Sequence, residues 1–300
     1  MRNPAGGRGG LHQLLRRRSI IAFLLTLPLI VLLGVLLVYP TGFAVYLSML
    51  NRDMNRFIGL DNFAFLFGRA SFWRVLWQTC FFAIAAAIFK STLGFAAAHL
   101  VHNIPRKGQR KWRGMLLVPW VVPVALSTLA WRWLLDPSHS AFNWILQHLG
   151  MDRIFWLGEP GWARFSVIMV NVWFGAPFFM IMYLASLKSV PEELYEAAAI
   201  DGASWGQRLR YITLPMMRHV IAITLLFSLI GGFTGFDIVA VLTNGGPLGT
   251  THVLATSSFL VGLISGNLPL ASAMSLFMLP VLIVAASYVL LGIAKRGSQV

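Results

Sequence analysis

The chain has 300 residues, of which 57% are hydrophobic and 11% charged, with a mean hydropathy of +0.72 and a net charge of +14. A soluble domain of this length needs far more polar surface, so the composition excludes a soluble globular protein and indicates a membrane protein. Cys80 is the single cysteine, which excludes an intrachain disulfide, and no Cys/His spacing indicates a metal site.

Six apolar blocks predict an all-α protein with six transmembrane helices. Each block has about 20 residues or more, the length that an α-helix needs to cross a hydrocarbon core about 30 Å thick. A Gly- and Arg-rich leader, 1–19, precedes them, and one transmembrane domain covers 20–300. The predicted spans are 20–42, 75–101, 114–135, 164–187, 219–242 and 271–294.

Two features predict that the first apolar block is retained as a span and that the second lies inside the bundle. The apolar run of the first is too long for a typical signal peptide, and no small-x-small cleavage site follows it, so we expect a retained span. The second block is rich in Ala and Gly, which let helix backbones approach closely in lipid. We therefore expect the second span to lie inside the helix bundle.

The distribution of basic residues predicts the orientation of the spans. Most of the 24 Lys and Arg residues lie in the leader, in 103–113, in 188–218 and in the C-terminal tail. The positive-inside rule makes these segments, and with them both termini, cytoplasmic. The charge therefore reflects topology and contact with membrane lipid, and it does not imply nucleic acid as a partner.

An amphipathic stretch lies in the external segment 136–163. Phe142, Ile145, Leu146 and Leu149 follow helical spacing there. Two interpretations remain open: the helix lies over the bundle, or it forms a docking surface for an external partner.

The cytoplasmic segment 189–215 predicts a hairpin of two short helices. Ser189 is a candidate N-cap of the first helix, with Glu192 as its capping-box partner. The first helix is rich in alanine, which favours helix and presents a smooth face. Such a face on a protruding hairpin favours contact with another protein over a simple connection between spans.

The turn and the second helix of the hairpin have signals of their own. Gly202 follows the first helix as a stop signal. Ser204 and Gln207 form a second capping box. The Leu214-Pro215 pair is expected to end the second helix before span five.

Two stretches of the hairpin resemble a known family. The sequences EAAAIDGA at 196–203 and ITLP at 212–215 are similar to the EAA loop of permeases in binding-protein-dependent bacterial ABC importers. His219 departs from the pattern, because many relatives have a proline there. The resemblance implies coupling helices that sit in a groove of an ATPase subunit. The residues assigned to this contact are Glu193, Glu196, Ala197, Ala198, Asp201, Gly202, Leu214 and Pro215.

Other segments resemble the sugar branch of that family, in the maltose and glycerol-phosphate type of first permease subunit. They are FIGLDNF at 57–63, FW at 72–73, FDI at 236–238, LTNGGP at 242–247, and Thr250 with Thr251. The resemblance implies a type I ABC importer permease fold in the bacterial inner membrane. It also implies transport of a sugar, oligosaccharide or glycoside by alternating access.

The expected source of energy is another chain. The sequence contains no Gly-x-x-x-x-Gly-Lys-Ser/Thr phosphate loop, so we expect no ATP site and no enzymatic activity in this chain. The resemblance implies two cytoplasmic ATPase subunits that bind ATP and Mg. It further implies a second, homologous permease subunit and a periplasmic solute-binding protein that delivers the solute.

Two charges lie within predicted spans. Lys90 is in span two and Asp237 in the outer part of span five, and each is a candidate either for function or for a structural ion pair. Sugar binding uses aromatic faces together with hydrogen bonds to each desolvated hydroxyl group. The candidates for the solute pathway are Asp237, Phe233, Phe236, Asn171, Trp173 and Trp131, and Trp133 fits the same chemistry.

Two other functional classes are alternatives to an ABC permease. An ion-coupled secondary transporter would require ion sites and internal repeats, and the two halves share no pattern. A membrane enzyme would require paired carboxylates, a His cluster or a nucleophile motif, none of which occurs in the spans.

Overall fold

The computed structural model describes residues 18–138 and 140–297, and the regular secondary structure in these ranges is helical. The one β-type contact among the described residues is a single bridge between Leu50 and Phe57. Most of the predicted leader, 1–17, lies outside the described residues.

Fifteen α-helices and three short π-helical segments make up the described chain. The π-helical segments are Gly34–Val38, Leu209–Thr213 and Leu260–Ile264. The α-helices are α1 Arg18–Leu33, α2 Tyr39–Ser48, α3 Asp61–Phe67, α4 Ala70–Asn103, α5 Arg106–Val121, α6 Val124–Leu134, α7 Ala141–His148, α8 Pro160–Lys188, α9 Glu192–Ile200, α10 Trp205–Arg208, α11 Leu214–Thr234, α12 Asp237–Leu242, α13 Leu254–Phe259, α14 Leu268–Leu276 and α15 Met278–Gly297.

Five continuous helical stretches among the described residues are long and apolar enough to cross a membrane. A sixth candidate is the pair α5 and α6, in which the two axes meet at 88°. The sequence predicted one straight span over 114–135, and the structure bends it at Val122 and Pro123. Val122 has an extended backbone because the proline after it disfavours helical geometry at the preceding residue.

The fifth predicted span, 219–242, is also interrupted. Helix α11 ends at Thr234, and Asp237 begins the separate short helix α12 rather than lying inside a long span. Gly231, Gly232 and Gly235 surround the break, and glycine is a weak helix former. At the start of α12, the carboxylate of Asp237 faces the positive end of the helix dipole.

Helix α4 lies inside the bundle, as its small residues predicted. Helix α4 packs most extensively against α8, and α11 packs on it as well. At Gly94 a Cβ atom would collide with the Cβ of Phe179, and at Gly232 a Cβ would lie 2.7 Å from the Cβ of Ala83. Glycine at these two positions therefore sets how closely the three helices approach.

A small polar network joins the same three helices. The hydroxyl of Tyr183 on α8 lies 2.8 Å from Ser91 Oγ on α4 and accepts a hydrogen bond from Thr224 Oγ1 on α11 at 3.2 Å. Tyr183 and Thr224 are fully buried. Hydrogen bonds of this kind stabilise helix contacts in lipid, where unpaired polar groups are costly.

The external amphipathic stretch forms helix α7. Ser140 caps its N-terminus, and the side chain of Asn143 binds the backbone of Ile154 through two hydrogen bonds. Phe142 packs against the apolar core, while Ile145 and Leu149 are exposed. The helix thus lies over the bundle and keeps an apolar outer side.

Candidate functional site

Most of the first helix of the hairpin, α9, is exposed, and none of its nine residues is fully buried. Ile200 is 87% exposed, and Leu194 is exposed beside it. Glu193, Glu196 and Ala197 are exposed as well. Apolar side chains displayed on a helix outside the membrane are typical of a contact surface for another protein.

The turn after α9 depends on Gly202. The N–H of Gly202 donates to the carbonyl of Ala199 at 3.1 Å, and the N–H of Ala203 donates to that of Ala198 at 2.9 Å. This pair of bonds is a Schellman motif, which requires a left-handed residue after the helix. Gly202 has φ +73°, and a Cβ there would meet nothing within 4 Å. Backbone conformation alone therefore favours glycine at this position.

One predicted cap of the hairpin is confirmed and the other is wrong. Ser204 and Gln207 form the expected capping box at the start of α10. Ser189 instead ends α8, where its hydroxyl donates to the carbonyl of Ser186 at 2.7 Å. Helix α9 begins at Glu192 without a side-chain cap, because Ser189 still has the helical conformation of the preceding helix.

Leu214 and Pro215 do not end the second helix, contrary to the sequence prediction. Helix α10, the π-helical segment and α11 form one continuous helical stretch from Trp205 to Thr234. The wider π turn directly before Pro215 accommodates a residue that lacks an N–H and crowds the preceding turn. The second arm of the hairpin is therefore the N-terminal part of the helical stretch that forms the fifth span.

Side-chain contacts fasten the hairpin to the rest of the bundle. Tyr195 on α9 and Thr213 in the π-helical segment lie 2.9 Å apart through their hydroxyl oxygens. The indole of Trp205 donates to Nε2 of His99 on α4 at 3.3 Å. These contacts join α9 to the second arm, and the second arm to α4.

A cavity of about 230 Å³ within the bundle brings together two of the predicted solute residues and Lys90. Lys90, Asn171 and Asp237 lie on three different helices and line it together. Lys90 is 9% exposed and donates to Ser228 Oγ at 3.4 Å. The Oδ1 atom of Asn171 is buried and has no hydrogen-bond partner among the residues that the structure describes.

The predicted aromatic residues do not line this cavity. Phe233 is buried in α11, and the ring of Phe236 packs on Phe259 at 4.9 Å between centroids. Trp131 contacts Trp173 edge to face at 5.5 Å. Neither tryptophan lines the cavity that holds Lys90.

Sequence reasoning missed the small residues that shape this cavity. Gly231 and Gly235 line its wall on the α11 side, and Gly175 on α8 leaves space for the side chain of Lys90. The three glycines within 231–235, inside an apolar block, were the available signal for these small residues. Glycine in a span marks close approach of another group.

The family model for the binding-protein-dependent transport system inner membrane component matches residues 90–296. The chain is a member of this family. The matched part includes the hairpin and every residue that lines the cavity except Phe82. The chain is a multi-pass membrane protein and the permease part of an ABC importer.

Individual relatives agree with the family assignment. The chain is 35% identical to the trehalose/maltose transport system permease protein MalF of Thermococcus litoralis, over 81% of this chain and 83% of the relative. It is 32% identical to the sulfoquinovosyl glycerol transport system permease protein SmoG of Agrobacterium fabrum, over 79% of this chain and 78% of the relative.

A solved structure has the same fold. It is the crystal structure of a bacterial ABC transporter that imports the acidic polysaccharide alginate, with a TM-score of 0.81 and 26% identity over 95% of this chain and 98% of the other. The type I permease fold predicted from the hairpin motif is therefore confirmed, and the secondary-transporter alternative finds no support.

Proposed function

We propose that this chain is the first permease subunit of an ATP-driven importer for a saccharide. The observation that carries the proposal is the exposed helix α9, which is joined through Gly202 to the cytoplasmic end of the fifth span. A push on α9 from an ATPase would move a transmembrane helix directly. Glu193, Glu196 and the small residues of α9 would form the contact.

The names of the relatives support a saccharide as the solute. MalF is named for trehalose and maltose, and SmoG for sulfoquinovosyl glycerol. A second solved structure pairs the alginate transporter with an alginate pentasaccharide-bound periplasmic protein, at a TM-score of 0.79. By analogy, a periplasmic binding protein delivers the solute to the outer face of this chain. Asp237 and Asn171 would then receive it in the cavity, with Phe233, Phe236, Trp131 and Trp173 nearby.

Two features of the chain support the remaining partners: its sequence has no phosphate loop, and most of its first span is exposed. ATP and Mg are bound by two separate cytoplasmic ATPase subunits, since the sequence has no phosphate loop. The most apolar part of the first span, Ile21–Ser48, has no buried residue, although Ser48 at the end of the span is buried. The surface of that apolar part would therefore be available to lipid and to a second permease subunit. Both termini face the cytoplasm of the bacterial cell.

A pull-down of the tagged chain from native membranes in mild detergent tests this assembly. We expect mass spectrometry to identify an ABC ATPase and a second six-span permease in the eluate. Addition of ATP to the same complex in liposomes, with its binding protein, is expected to drive saccharide uptake. Recovery of the chain alone, under conditions that keep other ABC complexes intact, would contradict the proposal.

The Tyr195→Phe substitution tests how tightly the hairpin is fastened. It removes the hydroxyl that lies 2.9 Å from Thr213 Oγ1. Loss of a hydrogen bond of this kind costs about 0.5–1.5 kcal/mol, which changes an equilibrium constant by roughly 2- to 10-fold. We expect the ratio of solute transported to ATP hydrolysed to fall by that factor. Tyr211→Phe is the matched control because Tyr211 is exposed and its hydroxyl has no partner among the described residues.

A further inference from the structure

Lys90 is a buried cation without a counter-ion in the described part of the chain. It lies thirteen residues before the end of the 34-residue helix α4, which places it about 20 Å from the cytoplasmic end at 1.5 Å per residue. Among the described residues it forms no ion pair, and its one hydrogen-bond partner is the neutral hydroxyl of Ser228. An ammonium group in this position is costly unless something neutralises it.

The bundle makes specific room for this side chain. A Cβ on Gly175 would lie 2.5 Å from Cε and 3.1 Å from Nζ of Lys90, so any other residue there would displace the lysine. Ser228 on α11 is the polar group in contact with it from the other side. Lys90 is thus held in a slot between α8 and α11 rather than extended towards the membrane surface.

The surroundings of the ammonium group in the cavity are short of negative charge. Asn171 supplies an amide and Gly231 supplies open space, since a Cβ there would meet nothing within 4 Å. Asp237 is the one acidic residue that lines the cavity, and it is exposed and not paired with Lys90. At about 230 Å³ the cavity is smaller than the roughly 300–1,000 Å³ of whole-ligand sites, so it suits one end of a solute.

We propose that Lys90 binds an anionic group of the transported solute, so that the solute is an acidic saccharide with a carboxylate or a sulfonate. The inference rests on the proposed saccharide import. A charge-assisted hydrogen bond from the ammonium group would compensate both charges in a site shielded from water. Asp237 would accept hydrogen bonds from sugar hydroxyls beside it. Two of the similar proteins are named for solutes of this chemistry, alginate and a sulfoquinovosyl glycoside.

Uptake of four labelled probes by cells that contain the complete transporter tests the inference. The probes are an alginate oligosaccharide with uronate groups, sulfoquinovosyl glycerol with a sulfonate, and the neutral sugars maltose and trehalose. We expect uptake of at least one acidic probe and of neither neutral probe. Lys90→Met is expected to reduce that uptake at least tenfold, and Lys90→Arg to keep more of it. Lys111→Met, at an exposed position of α5, is the control for loss of a positive charge.

Each contrary outcome has a distinct meaning. Uptake of a neutral probe alone would overturn the inference and leave saccharide import intact, whereas uptake of no probe would count against both. Restoration of uptake in the Lys90→Met variant by Asp237→Asn would also overturn it, because it would reveal an internal ion pair. If Lys90→Met is absent from the membrane, competition in the wild type decides: an acidic competitor must inhibit uptake and its neutral analogue must not.

Discussion

Gly202→Asp is expected to leave the protein in the membrane and to abolish ATP-driven uptake. Asp tolerates the left-handed backbone at this turn better than most residues, so the helices of the hairpin should still form. The new carboxylate lies beside Asp201 on the proposed ATPase contact. An uncompensated charge buried in an interface costs about 3–5 kcal/mol. This cost corresponds to a loss of more than about 100-fold in affinity for the ATPase.

Two variants separate the charge from the backbone. Gly202→Asn has nearly the same shape without the charge, and we expect it to keep much of the uptake. Gly150→Asp is a matched control, because Gly150 has the same φ of +73° and an equally open surrounding at the other end of the molecule. Membrane content by immunoblot and uptake by radiolabelled solute are the measurements. Normal uptake by Gly202→Asp would refute the assignment of the hairpin as the coupling element.

Gly94→Val is expected to disrupt the packing of α4 on α8. Even the first added carbon would collide with the Cβ of Phe179 and lie 3.0 Å from the backbone nitrogen of Met180. Neither atom can swing away as the tip of a side chain could. Overpacking of this kind costs about 1–3 kcal/mol and sometimes more. We expect a lower Tm and a loss of the monodisperse peak in detergent chromatography.

The control for this prediction is Gly114→Val on α5. A Cβ at Gly114 would meet nothing within 4 Å, so the same substitution should change the Tm little. Equal Tm values for the Gly94 and Gly114 variants would contradict the close contact between α4 and α8.

The local features of the hairpin were largely predictable because they depend on residues three or four positions apart. The Ser204–Gln207 capping box and the stop at Gly202 are set by such neighbours. The prediction for Ser189 failed where two helices compete for one residue. Helix α8 extends to Lys188 and keeps Ser189 in the helical conformation. The local sequence pattern around Ser189 does not show how far the preceding helix extends.

The apolar blocks predicted where helices lie but not where they bend. Hydropathy averaged over 114–135 has the same value for a straight helix as for two helices at 88°. The break before Asp237 was missed for the same reason, although Gly231, Gly232 and Gly235 were visible in the sequence. Whether glycines end a helix or permit close packing depends on what lies opposite them.

The sequence by itself determined the membrane class, the number of apolar segments, the helical hairpin and the family, because composition and local motifs are properties of neighbouring residues. Only the tertiary structure brought Lys90, Asn171 and Asp237 to one cavity, with Gly175 leaving room for the lysine. These residues are far apart along the chain, and helix packing decides which of them meet. In a bundle shielded from water, that packing also decides whether a buried charge has a partner.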